Sequence, residues 1–329
     1  MSSVNRTALF VLLCGSVLSI AAGAQGPAAS QPKPDNPQSL AHIDAAKKLA
    51  GDDAWLKAPF SFYCVAGNAR GNSPAAPALE PVKLFDNLYA VGNSEATVYA
   101  ITTPQGIILI DSGYADRVEK EVVDGLRALK LDPANVKYIL VGHGHGDHFG
   151  GSSYFQDHYG TKVGLTAADW DLMYPANPPS NAANQVKPKR DLVLKEGEPV
   201  KLGDETVTIV EIPGHTPGSL AFIFPVKDNG RTHTAGLFGG TILTVDRITT
   251  PGVQQYVQSV AHYLDVAKRT KVDVEVQNHA IFDGMPDKLA ALKARKPGAP
   301  HPFIVDTDRY VRFWTIISEC MQAEIARRG

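Results

Sequence analysis

Four side chains that can bind a metal ion fall within six residues of this chain. His143, His145, Asp147 and His148 lie in the run Val141-Gly-His-Gly-His-Gly-Asp-His-Phe-Gly-Gly151, directly after a short apolar segment. Imidazole and carboxylate groups are ligands suited to zinc. The intervening glycines allow a tight loop to turn these side chains inward without Cβ clashes. The spacing therefore predicts a metal site and not an incidental histidine-rich loop.

Two further histidines occupy the same kind of place, a loop at the end of a predicted strand. His215 lies in Pro213-Gly-His-Thr-Pro-Gly218, and His279 follows the strand predicted at 272–276. Together with the first cluster they complete a candidate set of six ligands. The remaining histidines of the chain after the N-terminal apolar run have no ligand partner at a useful spacing and are predicted to be structural or exposed: His42, His158, His233, His262 and His301.

Short strands and helices alternate along the chain, and the predicted strands deliver the histidines. The strands are predicted at 82–91, 97–102, 106–111, 135–141, 205–212, 220–226, 235–239 and 272–276. The helices are predicted at 40–56, 117–129, 151–159, 167–174, 253–268, 286–293 and 308–327. A sheet in each half of the chain with helices outside gives an α/β fold, a four-layer αββα sandwich.

Composition sets outer bounds on size and partners. With 329 residues and 44% hydrophobic content, the chain can bury a large core. The formal net charge of −2 favours neither nucleic acid nor an anionic membrane as a partner.

The N-terminal residues have the pattern of an export signal. An apolar run at 8–22 precedes Ala22-Gly-Ala24, which matches a cleavage site, so residues 1–24 are predicted to be a signal peptide. The expected location is periplasmic or secreted, with no stable membrane insertion after cleavage; an uncleaved anchor is the alternative. Residues 25–80 are interpreted as a leader and N-terminal extension, and 81–329 as the catalytic domain.

Cys64 and Cys320 are the two cysteines that follow the predicted signal peptide. Export implies an oxidising compartment, in which they could form a disulfide between the N-terminal segment and the last helix. Two unrelated buried thiols are the alternative, because no spacing rule brings these positions together.

The motifs together resemble those of the metallo-β-lactamase superfamily. The resemblance rests on the His143 to His148 cluster, Gly214-His-Thr-Pro-Gly-Ser219, His279, and the strand and turn Thr103-Pro-Gln-Gly-Ile-Ile-Leu-Ile-Asp-Ser-Gly113. It implies two zinc ions, one held by His143, His145 and His215 and the other by Asp147, His148 and His279. It further implies that a dizinc-bound hydroxide is the nucleophile, that Asp147 also orients it, and that Asp111 supports the loop through hydrogen bonds.

The choice within the superfamily depends on the segment Leu237-Phe-Gly-Gly-Thr-Ile-Leu243. Glyoxalase II-like thioesterases, lactonases and RNase Z-like nucleases have a metal-bridging Asp where this chain has Thr241 or a neighbour of it. Asp246 lies five residues too late for that place unless the loop is rearranged. Class B β-lactamases lack that bridge, and the first two subclasses use a Cys ligand, whereas no cysteine lies between His148 and His279. The resemblance therefore favours a subclass 3 β-lactamase that opens β-lactam rings.

The substrate contacts are less clearly marked. Thr241 and Thr244 offer hydroxyls where subclass 3 enzymes have serines that bind the substrate carboxylate, unless the substrate lacks that group; Tyr174 is predicted to line the cleft. Ser219 lacks the motif of a serine nucleophile. The expected partner is a small-molecule substrate, and the expected state is a monomer. The alternatives are a hydrolase of lactones, thioesters or other esters and amides, a redox iron enzyme, and a non-catalytic metal-binding protein.

Overall fold

The computed structural model describes residues 33–66, 76–175, 186–245 and 248–329. The predicted signal peptide at 1–24 and the predicted leader as far as residue 32 lie outside the described residues. Within the described part, none of the helices combines the length and the apolar character needed to span a bilayer.

Two β-sheets form the centre of the molecule. The first has seven strands in the order β1 to β7, and the second has five in the order β12-β11-β10-β9-β8. The strands of the first sheet are β1 Val82–Phe85, β2 Leu88–Gly92, β3 Thr97–Thr103, β4 Gly106–Ile110, β5 Val136–Leu140, β6 Lys162–Leu165 and β7 Leu192–Val193. Those of the second are β8 Val200–Leu202, β9 Glu205–Glu211, β10 Leu220–Asp228, β11 Arg231–Phe238 and β12 Val274–Glu275.

The pairing changes direction within each sheet. Strands β1 to β4 pair antiparallel, whereas β4 to β7 pair parallel. In the second sheet β8 to β11 pair antiparallel and β12 joins β11 in parallel. Parallel neighbours place their carboxyl ends at the same edge, so β4, β5 and β6 deliver their following loops to one side of the sandwich.

Helices cover the outer faces of both sheets. The helices are α1 Pro37–Ala50, α2 Ala54–Phe60, α3 Asp124–Ala128, α4 Gly146–Phe149, α5 Ser152–Tyr159, α6 Ala167–Met173, α7 Thr250–Thr270, α8 Met285–Lys293 and α9 Thr307–Arg328. A π-helical turn, Ser61–Val65, follows α2, and another, Val118–Val123, precedes α3.

Strand β4 shows why the layers stack as they do. Ile108 and Ile110 pack with residues of the second sheet, whereas Ile107 and Leu109 pack with the helices on the other face. Side chains alternate between the faces of a strand, and this fully apolar strand is buried on both. A third apolar cluster joins the outer face of the second sheet to α1, α7 and α9. The predicted αββα sandwich is confirmed.

Two predicted elements are each divided in the structure. The helix predicted at 40–56 is interrupted at Gly51, and Asp53 caps the new helix α2 by accepting from the backbone N–H of Trp55 and Leu56. The strand predicted at 82–91 is a hairpin that turns between Phe85 and Leu88. In both cases a turn-forming residue between two apolar runs ends the first element.

The described segment before residue 67 packs on the last helix. Ala46 and Leu56 belong to the same buried cluster as Phe313 of α9. A disulfide joins Cys64 to Cys320, with their Cα atoms 4.9 Å apart. The start of the catalytic domain at residue 81 stays a prediction, and the described helices before that position contribute to the core.

Candidate metal centre

The six predicted ligands all follow strand ends. His143 and His145 lie in the loop after β5, and Asp147 and His148 lie in α4, which starts one residue after His145. His215 lies between β9 and β10, and His279 lies beyond β12. The fold thus brings ligands that are 136 residues apart in sequence, from 143 to 279, to one edge of the sandwich.

Three histidines form the first part of the cluster. The Nε2 atom of His215 lies 3.0 Å from Nε2 of His143 and 3.0 Å from Nδ1 of His145. Their ligand nitrogens all lie within 4.8 Å of one another. His143 is buried, whereas His145 is exposed, so this part of the cluster opens to solvent on the His145 side.

The second part adjoins the first. The Nε2 atoms of His148 and His279 are 3.1 Å apart, and Asp147 Oδ2 lies 3.4 Å and 3.8 Å from them. Ligand atoms of His143, Asp147 and His148 also lie within 4.8 Å of one another. The structure therefore places all six predicted ligands in one continuous cluster, with His143 between the two parts.

Hydrogen bonds on the outer sides of the rings fix which nitrogen faces inward. Nδ1 of His143 lies 2.7 Å from the Gly239 carbonyl oxygen, and Nδ1 of His148 lies 2.7 Å from Asp111 Oδ2. Nδ1 of His279 contacts the carbonyl oxygen of Glu95. Carbonyl and carboxylate oxygens only accept, so these outer nitrogens carry the hydrogen and the Nε2 atoms point into the cluster.

This arrangement needs a cation at its centre. With their hydrogens directed outward, His148 and His279 present Nε2 lone pairs to each other at 3.1 Å, which requires a shared proton or a metal ion between them. The donor set of imidazole nitrogens and one carboxylate suits zinc. The residues present therefore fit a metal centre.

The charges around the cluster differ between its two parts. Burial, together with the neighbouring histidines, holds the pKa of His143 well below its ordinary value and lowers the pKa of His215 to about 3. Burial acts the same way on His148, but Asp147 and Asp111 outweigh it and raise its pKa to about 10. In the absence of metal, the second part therefore holds a proton that a bound metal ion would displace.

Asp111 connects the loop after β5 to the end of strand β4. It follows β4 with a φ of 63°. Its Oδ1 accepts from the backbone N–H of Gly142 at 2.7 Å, and its Oδ2 accepts from His148 Nδ1. These contacts join the ligand loop to β4, and the supporting role of Asp111 stays a prediction.

Asp169 was not predicted from the sequence, and it connects the two loops that carry His145 and His215. This buried residue of α6 accepts from Gly144 N at 2.7 Å, Gly218 N at 2.8 Å and Thr216 Oγ1 at 2.7 Å. It thereby joins the loop after β5 to the loop that carries His215. The available sequence signal, Thr166-Ala-Ala-Asp169, is that of an ordinary helix cap. Burial raises the pKa of Asp169, against the effect of these three bonds.

The structure corrects the prediction for Thr241. This residue is fully buried, and its hydroxyl lies 2.6 Å from the Phe238 carbonyl and 2.8 Å from Gln277 Oε1. The hydroxyl is therefore engaged inside the protein and is not presented to a substrate. The physical reason is that acceptors at the end of β11 and on Gln277 surround the hydroxyl.

The other predicted substrate contacts lie at the surface. Thr244 is exposed. Tyr174 is 46% exposed, and its hydroxyl donates to the Pro188 carbonyl at 2.5 Å. Lys187 Nζ lies 5.5 Å from the centre of the Tyr174 ring. Part of the loop between Tyr174 and Lys187 lies outside the described residues, and the substrate roles of Thr244 and Tyr174 stay predictions.

Comparison with known proteins gives the family. The model of the metallo-beta-lactamase superfamily matches residues 91–229. Among solved structures, the chain is similar to BJP-1, a subclass B3 metallo-beta-lactamase of Bradyrhizobium japonicum, with 31% identity, a TM-score of 0.60, and coverage of 74% of this chain and 92% of that one.

Curated relatives match over shorter stretches. The chain is 29% identical to a hydroxyacylglutathione hydrolase of Cereibacter sphaeroides over 49% of this chain and 62% of that protein. It is 35% identical to a hydroxyacylglutathione hydrolase of Bdellovibrio bacteriovorus over 44% of this chain and 47% of that protein. It thus spans less than two thirds of either relative. The match to the family model and the similarity over nearly all of BJP-1 show that this chain belongs to the metallo-β-lactamase superfamily, a family of metal-dependent hydrolases.

Proposed function

We propose that this protein is an exported, zinc-dependent β-lactamase of the subclass B3 type. The observation that carries the proposal is the ligand cluster combined with Thr241 at the strand end where other superfamily hydrolases have a bridging Asp. The similarity to BJP-1 over 92% of that chain supports it.

The packing of the strand end supports this choice. The Thr241 carbonyl accepts hydrogen bonds from the hydroxyls of Tyr63 at 3.1 Å and Tyr256 at 2.9 Å. A Cβ atom at Gly240 would lie 2.9 Å from the Cβ atom of His215. The strand end therefore brings the backbone of Gly240 close to His215.

The ligand set divides naturally between two ions. His143, His145 and His215 would hold one zinc, and Asp147, His148 and His279 would hold the other. When bound, the ions would supply Lewis-acid polarisation of the substrate carbonyl and a water of lowered pKa.

Asp147 is the residue of the chain that we expect to position the attacking water. Burial raises the pKa of its carboxyl, but His148 and His279 outweigh that effect and hold the pKa well below its ordinary value. The carboxylate is therefore ionised at neutral pH. The side chain of Asp147 remains 18% exposed, so its carboxylate can accept a hydrogen bond from a water molecule and thereby orient the lone pairs of that water.

No residue of the His215 loop is placed to act as a covalent nucleophile. Ser219 is fully buried, and its Oγ lies 2.7 Å from Thr216 Oγ1 and 3.0 Å from the Thr216 backbone nitrogen. The hydroxyl is thus part of a turn. The reaction that we propose for this site is direct attack by water: the water oxygen bonds to the carbonyl carbon, the C–N bond breaks, and a proton of that water goes to the leaving nitrogen.

A thioesterase is the second candidate. The observation that favours it is the 29% and 35% identity to hydroxyacylglutathione hydrolases. Those matches span less of the relatives' length than the match to BJP-1 does, and the resemblance to this group requires a bridging Asp that Thr241 replaces.

A location outside the cytoplasm is part of the proposal. The motif at 22–24 is that of a cleaved signal, and a disulfide such as Cys64–Cys320 persists in oxidising compartments. We propose a periplasmic or secreted, monomeric protein. N-terminal sequencing of the protein recovered from the periplasm would test this, and recovery of the uncleaved chain in the cytoplasm would contradict it.

The enzymatic proposal is tested with purified, zinc-loaded protein. We expect it to hydrolyse nitrocefin and members of a penicillin, cephalosporin and carbapenem panel, and to bind two zinc ions per chain. His215→Ala should lose zinc and turnover, whereas His262→Ala should retain both, because His262 pairs with Glu196 at the surface. Hydrolysis of a glutathione thioester or a homoserine lactone without β-lactam turnover would overturn the proposal.

A further inference from the structure

Asn278 occupies a position between the two parts of the metal centre. It is fully buried and immediately precedes His279. Its Nδ2 atom lies 2.9 Å from Asp111 Oδ2 and 3.0 Å from the Gly239 carbonyl oxygen. An amide nitrogen has two hydrogens, so it can donate to both acceptors at once.

These two acceptors are the ones that orient histidines of different parts of the cluster. Asp111 Oδ2 also accepts from His148 Nδ1, and the Gly239 carbonyl also accepts from His143 Nδ1. The side-chain amide of Asn278 therefore links the group that orients His143, a proposed ligand of one zinc ion, to the group that orients His148, a proposed ligand of the other.

The surroundings fix the orientation of the amide. If the oxygen and nitrogen of Asn278 were exchanged, its oxygen would face the Asp111 carboxylate and the Gly239 carbonyl, two groups that cannot donate. His148 Nδ1 also lies 3.2 Å away, but it already donates to Asp111 Oδ2 at 2.7 Å. In the present orientation Oδ1 is buried without a hydrogen-bond partner among the described residues. Because an unpaired buried oxygen costs free energy, the position is occupied for its two N–H groups.

The backbone of Asn278 is held as well. Its carbonyl oxygen accepts from the backbone nitrogen of Thr97 at 2.9 Å. The carbonyl of Glu95, two residues before Thr97, contacts Nδ1 of His279. The backbone of Asn278 is therefore fixed, and the two hydrogen bonds of its side chain fix the positions of Asp111 and the Gly239 carbonyl.

We propose that Asn278 is a positioning residue that couples the two zinc sites, because its amide holds the Asp111 carboxylate and the Gly239 carbonyl in fixed positions relative to each other. The inference rests on the proposed binding of two zinc ions. Loss of the two N–H groups releases both acceptors, so the orientation of His148 and of His143 is disturbed together.

The test uses an isosteric substitution. Asn278→Asp keeps the shape of the side chain but replaces the donating nitrogen with an oxygen that repels Asp111 and the Gly239 carbonyl. Asn278→Ala removes both bonds without that repulsion, and serves if the first variant does not fold. The affinities for the first and second equivalents of zinc are measured by competition with a chromophoric chelator.

The chain offers a matched control in Asn87. This residue is also buried, and its Nδ2 donates to a carboxylate oxygen of Glu205 at 3.1 Å and to the Pro225 carbonyl at 3.2 Å. It also accepts from the backbone nitrogen of Lys227 near the end of β10 that is remote from His215. Asn87→Asp therefore creates the same clash away from the metal centre. Urea unfolding of the metal-free proteins measures the loss of stability in each.

We expect both zinc affinities of Asn278→Asp to fall, by roughly 10- to 100-fold, and those of Asn87→Asp to remain within about 2-fold of wild type. Wild-type affinity in both Asn278 variants, a loss confined to one of the two zinc equivalents, or an equal loss in Asn87→Asp would overturn the inference. If the wild-type protein itself binds no zinc, the proposed function fails, which is a different result from normal wild-type binding with unaffected variants.

Discussion

Removal of the Cys64–Cys320 disulfide should lower the stability of the protein substantially. The bond joins residues 256 positions apart, between the π-helical turn after α2 and helix α9. A crosslink over so long a segment restricts the unfolded chain far more than the folded one, because α1 and α2 pack on α9 in any case. The test compares the double variant Cys64→Ala/Cys320→Ala, and wild-type protein reduced with a phosphine, with untreated wild-type protein.

The magnitude follows from the length of the closed loop. The loop-entropy relation gives about 5.5 kcal/mol at 25 °C for a separation of 256 residues. Native disulfides measured in other proteins contribute roughly 2–5 kcal/mol, so we expect a loss of about 3–5 kcal/mol. Both sulfurs are buried, and truncation to Ala adds a small cavity term that the reduced wild-type protein does not have.

Urea unfolding at equilibrium distinguishes an unfolded-state effect from a loss of native packing. If the bond acts on the unfolded chain, its removal should lower the midpoint and increase the m-value, since the chain without a crosslink exposes more surface when unfolded. Zinc content should remain that of wild type, because the Tyr256 hydroxyl still holds the Thr241 carbonyl when the segment carrying Tyr63 loosens.

A loss below about 1 kcal/mol with an unchanged m-value would refute this reasoning. A second check uses the single variants: Cys64→Ala and Cys320→Ala should each lose nearly the full amount, since either one breaks the same bond. Additive losses from the two single variants would show that local packing, and not the crosslink, carries the stability.

Three further predictions concern side chains away from the disulfide. Asp169→Ala should lower the free energy of unfolding of the metal-free protein by about 2–4 kcal/mol in urea, since three buried donors lose their acceptor; a loss below about 0.5 kcal/mol would contradict that role. Thr241→Val should change the KM for nitrocefin less than about 3-fold, a factor worth under 1 kcal/mol, because the hydroxyl faces Gln277; a large rise in KM would restore its role as a substrate contact. The Arg295 guanidinium, which donates to both oxygens of Asp228, holds the pKa of that carboxyl below its ordinary value of 3.8. The pair's contribution is therefore present above pH 3.8 and lost as pH falls through the lower, folded-state pKa. Asp228→Asn should cost about 1 kcal/mol at pH 7 and progressively less as the pH falls below 3.8, and a cost that does not change with pH would contradict the assignment.

The candidate ligands could be predicted from the sequence because their signals are local. Three histidines and a carboxylate within six residues, preceded by an apolar strand, are visible without any knowledge of the fold. His215 and His279 each follow a predicted strand. Strand β4 is likewise recognisable, since four consecutive apolar residues, 107–110, between Gly106 and Asp111 fit a strand that is buried on both faces.

The supporting residues could not be predicted in the same way. Asp169 accepts from two backbone N–H groups and a hydroxyl, and Asn278 donates to a backbone carbonyl and a carboxylate. Backbone partners leave no trace in residue type, and those of Asp169 lie 25 and 49 residues away along the chain. A helix cap and an ordinary loop amide have the same local pattern, so only the folded arrangement distinguishes them.

Thr241 shows how one position connects the fold to the choice of reaction. Its hydroxyl contacts Gln277, one residue before Asn278, and its carbonyl receives Tyr63, the residue beside the disulfide. A carboxylate side chain at this position that reached toward the ligand cluster would not make the contact of the hydroxyl with Gln277. The threonine therefore fixes the strand end whose Gly239 carbonyl orients His143. In the β-lactamase that we propose, Thr241 would thus leave the metal centre without a bridging carboxylate and would also hold the strand end that orients His143. This double role supports the proposed β-lactamase over the thioesterase alternative.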